Sequence, residues 1–237
     1  MLLVLAHRGD DVADWTARAL ADRGRAVERV TGAELVGARR WSLRQEGGRT
    51  RCRAVLADGR ELADERIGGV VNRLTGLPPG AVAGFDEEDR GYAAREWTAG
   101  LLAWLDGLDA PVVNPPTAGW LAGPAFHPAA WSRHAARAGL PLARTRWRPG
   151  DGIPAGPGAP DGPVPAVVVG GEVAGGGLPG ACRRGAAALA DRVGCPVLQV
   201  EFVAGEDGPR FAGATPLADL RRAGAAGIDR LDGLLSG

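Results

Sequence analysis

Three short apolar runs, each closed by polar residues, constrain the fold of this 237-residue chain more than any other feature. They lie at residues 2–6, 68–73 and 111–114. Runs that are apolar throughout, without alternation, are typical of strands buried on both faces of a parallel sheet. The first run is followed by a helical pattern that Asp10 or Asp11 can cap, and then by a second short strand at 27–30. Strand, helix, strand is the opening of a doubly wound sheet, so we expect an α/β fold.

The remaining pattern predicts a smaller antiparallel part and several helices. Residues 41–45 and 50–57 flank the turn Glu46-Gly47-Gly48 and predict a hairpin, which a turn at Asp58-Gly59 extends into a meander. We expect helices at 89–108, 128–138, 182–193 and from about Pro216, and strands at 166–173, 196–203 and 209–213. Trp97 and Trp104 are seven residues apart on the longest helix, so they share a face that belongs to the core or to an oligomer interface.

Charge composition excludes several classes of function. Lys+Arg and Asp+Glu both count 28, so the net charge is zero and there is no electrostatic footprint for nucleic acid or an anionic membrane. Every basic residue is arginine, because the chain contains no lysine. Schiff-base chemistry, a P-loop lysine and a lysine general base are therefore excluded.

Cysteine usage and the first residues indicate the compartment. Cys52, Cys182 and Cys195 are odd in number and lack the spacing of a zinc site or a disulfide framework, which favours a reducing environment. The first apolar run is too short for a signal peptide, and no segment approaches the length of a membrane span. We expect a cytoplasmic protein.

Residues 148–165 consist almost wholly of Pro, Gly, Ala and Asp. Such a composition buries too little apolar surface to offset the entropy of ordering it. The sequence therefore predicts a mobile linker here, dividing the chain into two parts.

Polar residues follow each strand of the predicted parallel sheet. They are His7, Arg8, Asn72, Arg73 and Asn114. Ligands bind at the carboxyl ends of parallel strands, where these residues would meet, and Arg73 could hold a carboxylate or phosphate. The alternative is that strand ends are polar simply because they enter loops. A pairing of Arg73 with an acidic residue inside the fold would make its role structural.

The order of these segments resembles that of ATP-grasp ligases, of the kind related to ribosomal-protein glutamate ligases and peptide-cyclising ligases. The resemblance rests on GGVVNR at 68–73, the long helix at 89–108, PVVNPP at 111–116, AGLPLART at 138–145 and VLQVEFVAGEDG at 197–208. It implies a pre-ATP-grasp-like parallel sheet with flanking helices over 1–115 and a connecting helix region over 116–147. After the linker at 148–165, a small truncated ATP-grasp-like α+β part covers 166–237.

The chain departs from the family pattern in the segments that bind the nucleotide and its metal ion. Family enzymes carry, between these two parts, a subdomain with two lysines and a glycine-rich loop, and residues 148–165 are too few to form it. Glu201 matches the first acidic metal ligand of the family, but the following Glu-x-Asn pair falls at Gly213 and Thr215. With one ligand of three, Glu201 is only a weak metal candidate, and we expect neither ATP nor Mg²⁺ as a cofactor and no catalytic residues.

The resemblance and its departures together imply an ATP-grasp-like pseudo-enzyme, or an accessory binding protein, of a biosynthetic or peptide-modification pathway. Its expected partners are a second copy, forming a homodimer, or a partner biosynthetic enzyme, and neither nucleic acid nor membrane. One alternative is an ATP-dependent carboxylate-amine ligase that binds nucleotide through arginines. Another is a small-molecule binding module that uses the strand ends.

Overall fold

The computed structural model describes residues 1–47, 49–143 and 163–237, which form two compact units. Unit 1 comprises Met1–Gly123 together with Asp232–Gly237, and unit 2 comprises Pro124–Leu231. Within the described residues, unit 1 has two sheets and unit 2 has one, and each unit has its own apolar core. Among the described helices, none combines the length and the apolar character needed to cross a bilayer.

Unit 1 contains seven strands and three helices within the described residues. In chain order they are β1 (Leu2–Ala6), α1 (Asp11–Ala21), β2 (Val27–Thr31), α2 (Gly32–Val36), β3 (Arg40–Glu46), β4 (Arg49–Val55), β5 (Glu61–Ala63), β6 (Gly69–Asn72), α3 (Arg90–Asp106) and β7 (Val112–Val113).

The three apolar runs, together with β2, form the parallel sheet that the sequence predicts. Its order is β2-β1-β6-β7, and all three pairings are parallel. All five residues of β1 are buried, as expected of a central strand. Asp10 caps α1 by accepting a hydrogen bond from the N–H of Ala13 at 3.0 Å. The short helix α2 was not predicted, although Thr31 and Glu34 give it a capping box.

Strands β3, β4 and β5 form the predicted antiparallel meander. Trp41 on β3 packs edge-to-face against Trp97 and Trp104 of α3, with ring centroids 5.4 and 5.6 Å away. Trp104 is fully buried and donates its indole N–H to Asp64 at 2.8 Å. The shared face of the two tryptophans is therefore turned to the core of unit 1.

Unit 2 is built around an antiparallel sheet of order β11-β10-β8-β9. Its elements are α4 (Pro128–Arg137), β8 (Val164–Val169), β9 (Glu172–Ala174), α5 (Gly180–Arg192), β10 (Val197–Val203), β11 (Arg210–Thr215) and α6 (Gly224–Leu235), whose last residues belong to unit 1. Helix α5 packs on the sheet through small residues and Leu189, and Trp131 of α4 joins the same core.

Several predicted boundaries differ from the structure. The strand predicted at 166–173 is two strands, β8 and β9, which pair antiparallel on either side of Gly170-Gly171. The last helix begins at Gly224, not near Pro216. Residues Leu220–Ala223 form a separate 3-10 turn, and the positive φ of Gly224, 61°, separates that turn from the helix that follows. Strand β8 begins at Val164, so the last two residues of the predicted linker belong to a strand. Residues 148–162 of that linker lie outside the described residues.

Candidate functional site

The carboxyl ends of β1, β6 and β7 meet at one edge of the parallel sheet, as their register requires. His7 directly follows β1, Asn72 ends β6 and Asn114 directly follows β7. The sheet therefore brings together residues that lie far apart in the sequence.

Asn72 is 2% exposed, and its side chain forms hydrogen bonds with the segment that follows β7. Its amide nitrogen donates to the carbonyl oxygens of Asn114 at 3.1 Å and Leu121 at 2.5 Å. Its amide oxygen accepts from the backbone N–H of Leu74 at 3.3 Å. These three hydrogen bonds satisfy a buried amide, so Asn72 links β6 to the segment after β7.

Arg73 forms a two-pronged ion pair with the helix cap Asp10. Its Nε donates to one carboxylate oxygen at 2.8 Å and its Nη2 to the other at 3.2 Å, and the two side chains are 9% and 15% exposed. Burial works to raise the pKa of Asp10, but hydrogen bonds from Arg73 and Ala13 and the charge of Arg73 outweigh it and lower that pKa. The acidic partner gives Arg73 a structural role in this fold.

His7 and Arg8 occupy the more accessible part of this edge. The Nε2 atom of His7 lies 2.8 Å from the hydroxyl of Thr75 and accepts a hydrogen bond from the N–H of Thr75 at 3.3 Å. Arg8 is exposed in the turn after β1. A ligand at this edge would have to compete with Asp10 for Arg73, so a ligand-binding role for the group stays a prediction.

The sequence did not reveal two residues that bind side chains at these strand ends. They are Asp10, which pairs with Arg73, and Thr75, which contacts His7. Asp10 was predicted as a helix cap, which it is, but a cap is local whereas its ion pair spans 63 positions. A carboxylate just beyond one buried strand and an arginine just beyond its neighbour were the available signal, since parallel strand ends converge.

The second candidate, Glu201, lies on β10 opposite Gly213 of β11. Its Oε1 accepts from the side-chain amide of Gln199 at 3.4 Å. The amide oxygen of Gln199 accepts in turn from the N–H of Asp219 at 3.1 Å. Thr215, opposite Gln199, accepts from the N–H of Leu217 at 3.2 Å. Glu201 therefore has the amide of Gln199 beside it on its own strand and a glycine opposite it on β11.

This donor set does not fit the Mg²⁺ that the fold implies. Mg²⁺ prefers carboxylate oxygens in octahedral geometry, and Gly213 supplies no side chain. Across the described ranges, no group of three or more His, Cys, Asp or Glu side chains is arranged to hold a metal ion. The side chains around Glu201 therefore do not support a reaction step that runs through a bound metal ion.

Comparison with known proteins identifies the fold. No family model and no curated protein sequence matches the chain. Among solved structures, it is similar to the macrocyclase MdnC from Microcystis aeruginosa MRC bound with precursor peptide MdnA, at 12% identity and TM-score 0.72, covering 92% of this chain and 91% of that one.

Two further structures support the same fold. A Chryseobacterium gregarium RiPP-associated ATP-grasp ligase, in complex with ADP and a leader and core peptide, gives TM-score 0.70 at 12% identity over 98% of this chain and 96% of that one. The ATP-grasp ligase PsnB complexed with minimal precursor gives 0.69 at 16% identity over 98% of both chains. The chain therefore has an ATP-grasp-like fold, as its segment order predicts.

Proposed function

We propose that this protein is a non-ligating member of a peptide-modification pathway: it binds a peptide or a partner enzyme and does not transfer phosphate. The observation that carries the proposal is the environment of Glu201, where the adjacent strand carries Gly213 and Thr215 in place of the Glu-x-Asn pair that the resemblance implies. Phosphoryl transfer requires charge neutralisation at the phosphates, and a single carboxylate is too few ligands to hold the Mg²⁺ that would provide it.

The sequence between the two halves supports the same proposal. Strand β8 begins at Val164, so a nucleotide-binding subdomain would have to be formed by residues 144–163. The absence of lysine removes the residues that hold the nucleotide in the family this chain resembles.

The peptide part of the proposal is supported by the structures that the chain resembles. Three of them are complexes with precursor, leader or core peptides. A chain that has this fold but lacks the metal ligands can still bind a peptide. A partner enzyme or a second copy of the chain would then catalyse the modification.

Isothermal calorimetry with ATP and excess Mg²⁺ tests the proposal. We expect no saturable heat at millimolar nucleotide, because neither the metal ligands nor the lysines are present. A dissociation constant tighter than about 1 mM, equivalent to roughly −4 kcal/mol, would contradict it.

The variant Glu201→Gln is the matched control for any heat that is observed. If ATP binds and Glu201→Gln abolishes the signal, the chain is a ligase with an altered nucleotide site, and the proposal is wrong. If ATP binds equally to both proteins, nucleotide is held elsewhere and the proposal also fails.

A further inference from the structure

The two faces of the β3-β4-β5 meander differ sharply in chemistry. Successive residues of a strand point to opposite faces, so Trp41 and Cys52 face the core while their neighbours face outward. The outward residues include Ser42 and Arg44 on β3 and Arg51 and Arg53 on β4, and the three arginines are exposed. We refer to Arg44, Arg51 and Arg53 as the arginine face.

The register places like charges directly opposite one another on this face. Arg44 pairs with Arg51 across the two strands, and Arg53 follows Arg51 two residues along β4. Like charges in such a pair destabilise a sheet by up to about 1 kcal/mol. A cost of this kind in an ordered sheet points to a use for the charge outside the fold.

The acidic groups beside the arginine face only partly neutralise it. Glu65 lies 2.5 Å from Arg53 and Asp109 lies 3.5 Å from Arg51, and all four side chains are 44–64% exposed. Arg44 has no ion-pair partner among the described side chains. These surface pairs are weak and exchangeable, so an incoming anion could replace them.

A groove of about 510 Å³ runs along this face, lined by Ser42, Arg44, Arg51, Cys52, Arg53 and Glu65. Side chains on one face of a strand repeat every second residue, about 7 Å apart. An extended peptide with acidic residues at alternate positions has the same repeat and can place a carboxylate near each guanidinium.

We propose that the arginine face is a docking surface for an extended acidic peptide segment. The inference rests on the proposed function in taking the partner to be a peptide, but it concerns a different sheet from the one that carries Glu201. Nucleic acid fits less well, because the nearby aromatic Trp41 faces the core, where it cannot stack on bases.

Fluorescence anisotropy tests the proposal with a labelled peptide of alternating Glu and Ser, its Gln-for-Glu counterpart, and oligothymidylate of matched charge. We expect the acidic peptide to bind in a salt-dependent manner and to bind more tightly than both other probes. The variant Arg44→Gln/Arg51→Gln should bind it about tenfold more weakly, the size expected for the loss of two solvent-exposed ion pairs.

The control variant Arg133→Gln/Arg137→Gln removes the same charge from exposed positions of α4. It should bind the acidic peptide as tightly as the unaltered protein. Equal weakening in both double variants, tighter binding of oligothymidylate, or no binding of the acidic peptide would overturn the proposal.

The melting temperature separates loss of binding from loss of folding. Arg44→Gln/Arg51→Gln relieves a like-charge pair, so it should melt at the same temperature as the unaltered protein or higher. Were the double variant to unfold, the single change Arg44→Gln, at an exposed side chain, would repeat the test, and unchanged binding there would overturn the proposal. Calorimetry with ATP does not report on the arginine face. The proposed function and the docking proposal can therefore fail independently.

Discussion

At the residue scale, the ion pair of Arg73 and Asp10 joins a strand end to the cap of α1. Replacing Arg73 with Ala leaves a carboxylate that is 15% exposed without its cation. We expect the free energy of unfolding to fall by about 3 kcal/mol, the cost of breaking a buried pair from one side. Urea unfolding of this variant measures the change, with Arg8→Ala as the exposed neighbour that should shift it by no more than about 0.5 kcal/mol.

The same pair has a defined pH dependence. Folding lowers the pKa of Asp10, so the folded state binds this proton less readily than the unfolded chain does. The stabilisation is therefore present above the ordinary aspartate pKa and is lost as the pH falls through and below it. The loss of stability between about pH 5 and pH 2 should be smaller in Arg73→Ala than in the unaltered protein. Equal acid sensitivity in the two proteins would show that the pair does not lower the pKa of Asp10.

At the element scale, the position of β6 depends on the absence of a side chain at its first residue. A Cβ on Gly69 would lie 2.7 Å from the carbonyl oxygen of Leu235, a backbone atom that cannot rotate away. Gly69→Ala should therefore cost about 1–3 kcal/mol, as overpacking does. At Gly68 the nearest atom is 3.8 Å away, so Gly68→Ala should leave the denaturation midpoint almost unchanged. A similar midpoint for both variants would contradict the packing argument.

The elements that the sequence predicts best are those whose pattern is complete within the element. The buried run of β1 and the meander were identified because their burial pattern and turns are local. The start of α6 was missed, since a 3-10 turn shares the composition of a first helical turn. At the candidate site, the sequence predicts that Asn72 and Asn114 meet, because both lie at the carboxyl ends of parallel strands. The choice of Asp10 as the partner of Arg73 depends on side-chain reach, which no local pattern contains.

At the scale of the whole molecule, the proposed loss of ligase chemistry rests on two separate deficits, one in the metal ligands and one in the nucleotide-binding subdomain. The missing metal ligands can be restored by substitution. A Cβ on Gly213 would lie 3.8 Å from Oε2 of Glu201, an ordinary contact, so the strand pair has room for a side chain there. Gly213→Glu/Thr215→Asn would place two carboxylates and an amide on adjacent strands, which is a donor set that suits Mg²⁺ or Mn²⁺.

We expect the double variant Gly213→Glu/Thr215→Asn to bind Mn²⁺ measurably by calorimetry or electron paramagnetic resonance, and the unaltered chain to bind none at this position. Adding Glu201→Gln should remove the gained binding, whereas Gly213→Gln/Thr215→Asn, which has the same shape without the charge, should gain little. ATP should still fail to bind, because restoring the metal ligands supplies no lysine and no loop over the phosphates. If ATP binds once the metal does, the second deficit does not exist: arginines then hold the nucleotide, and the chain is a ligase that has lost only its metal.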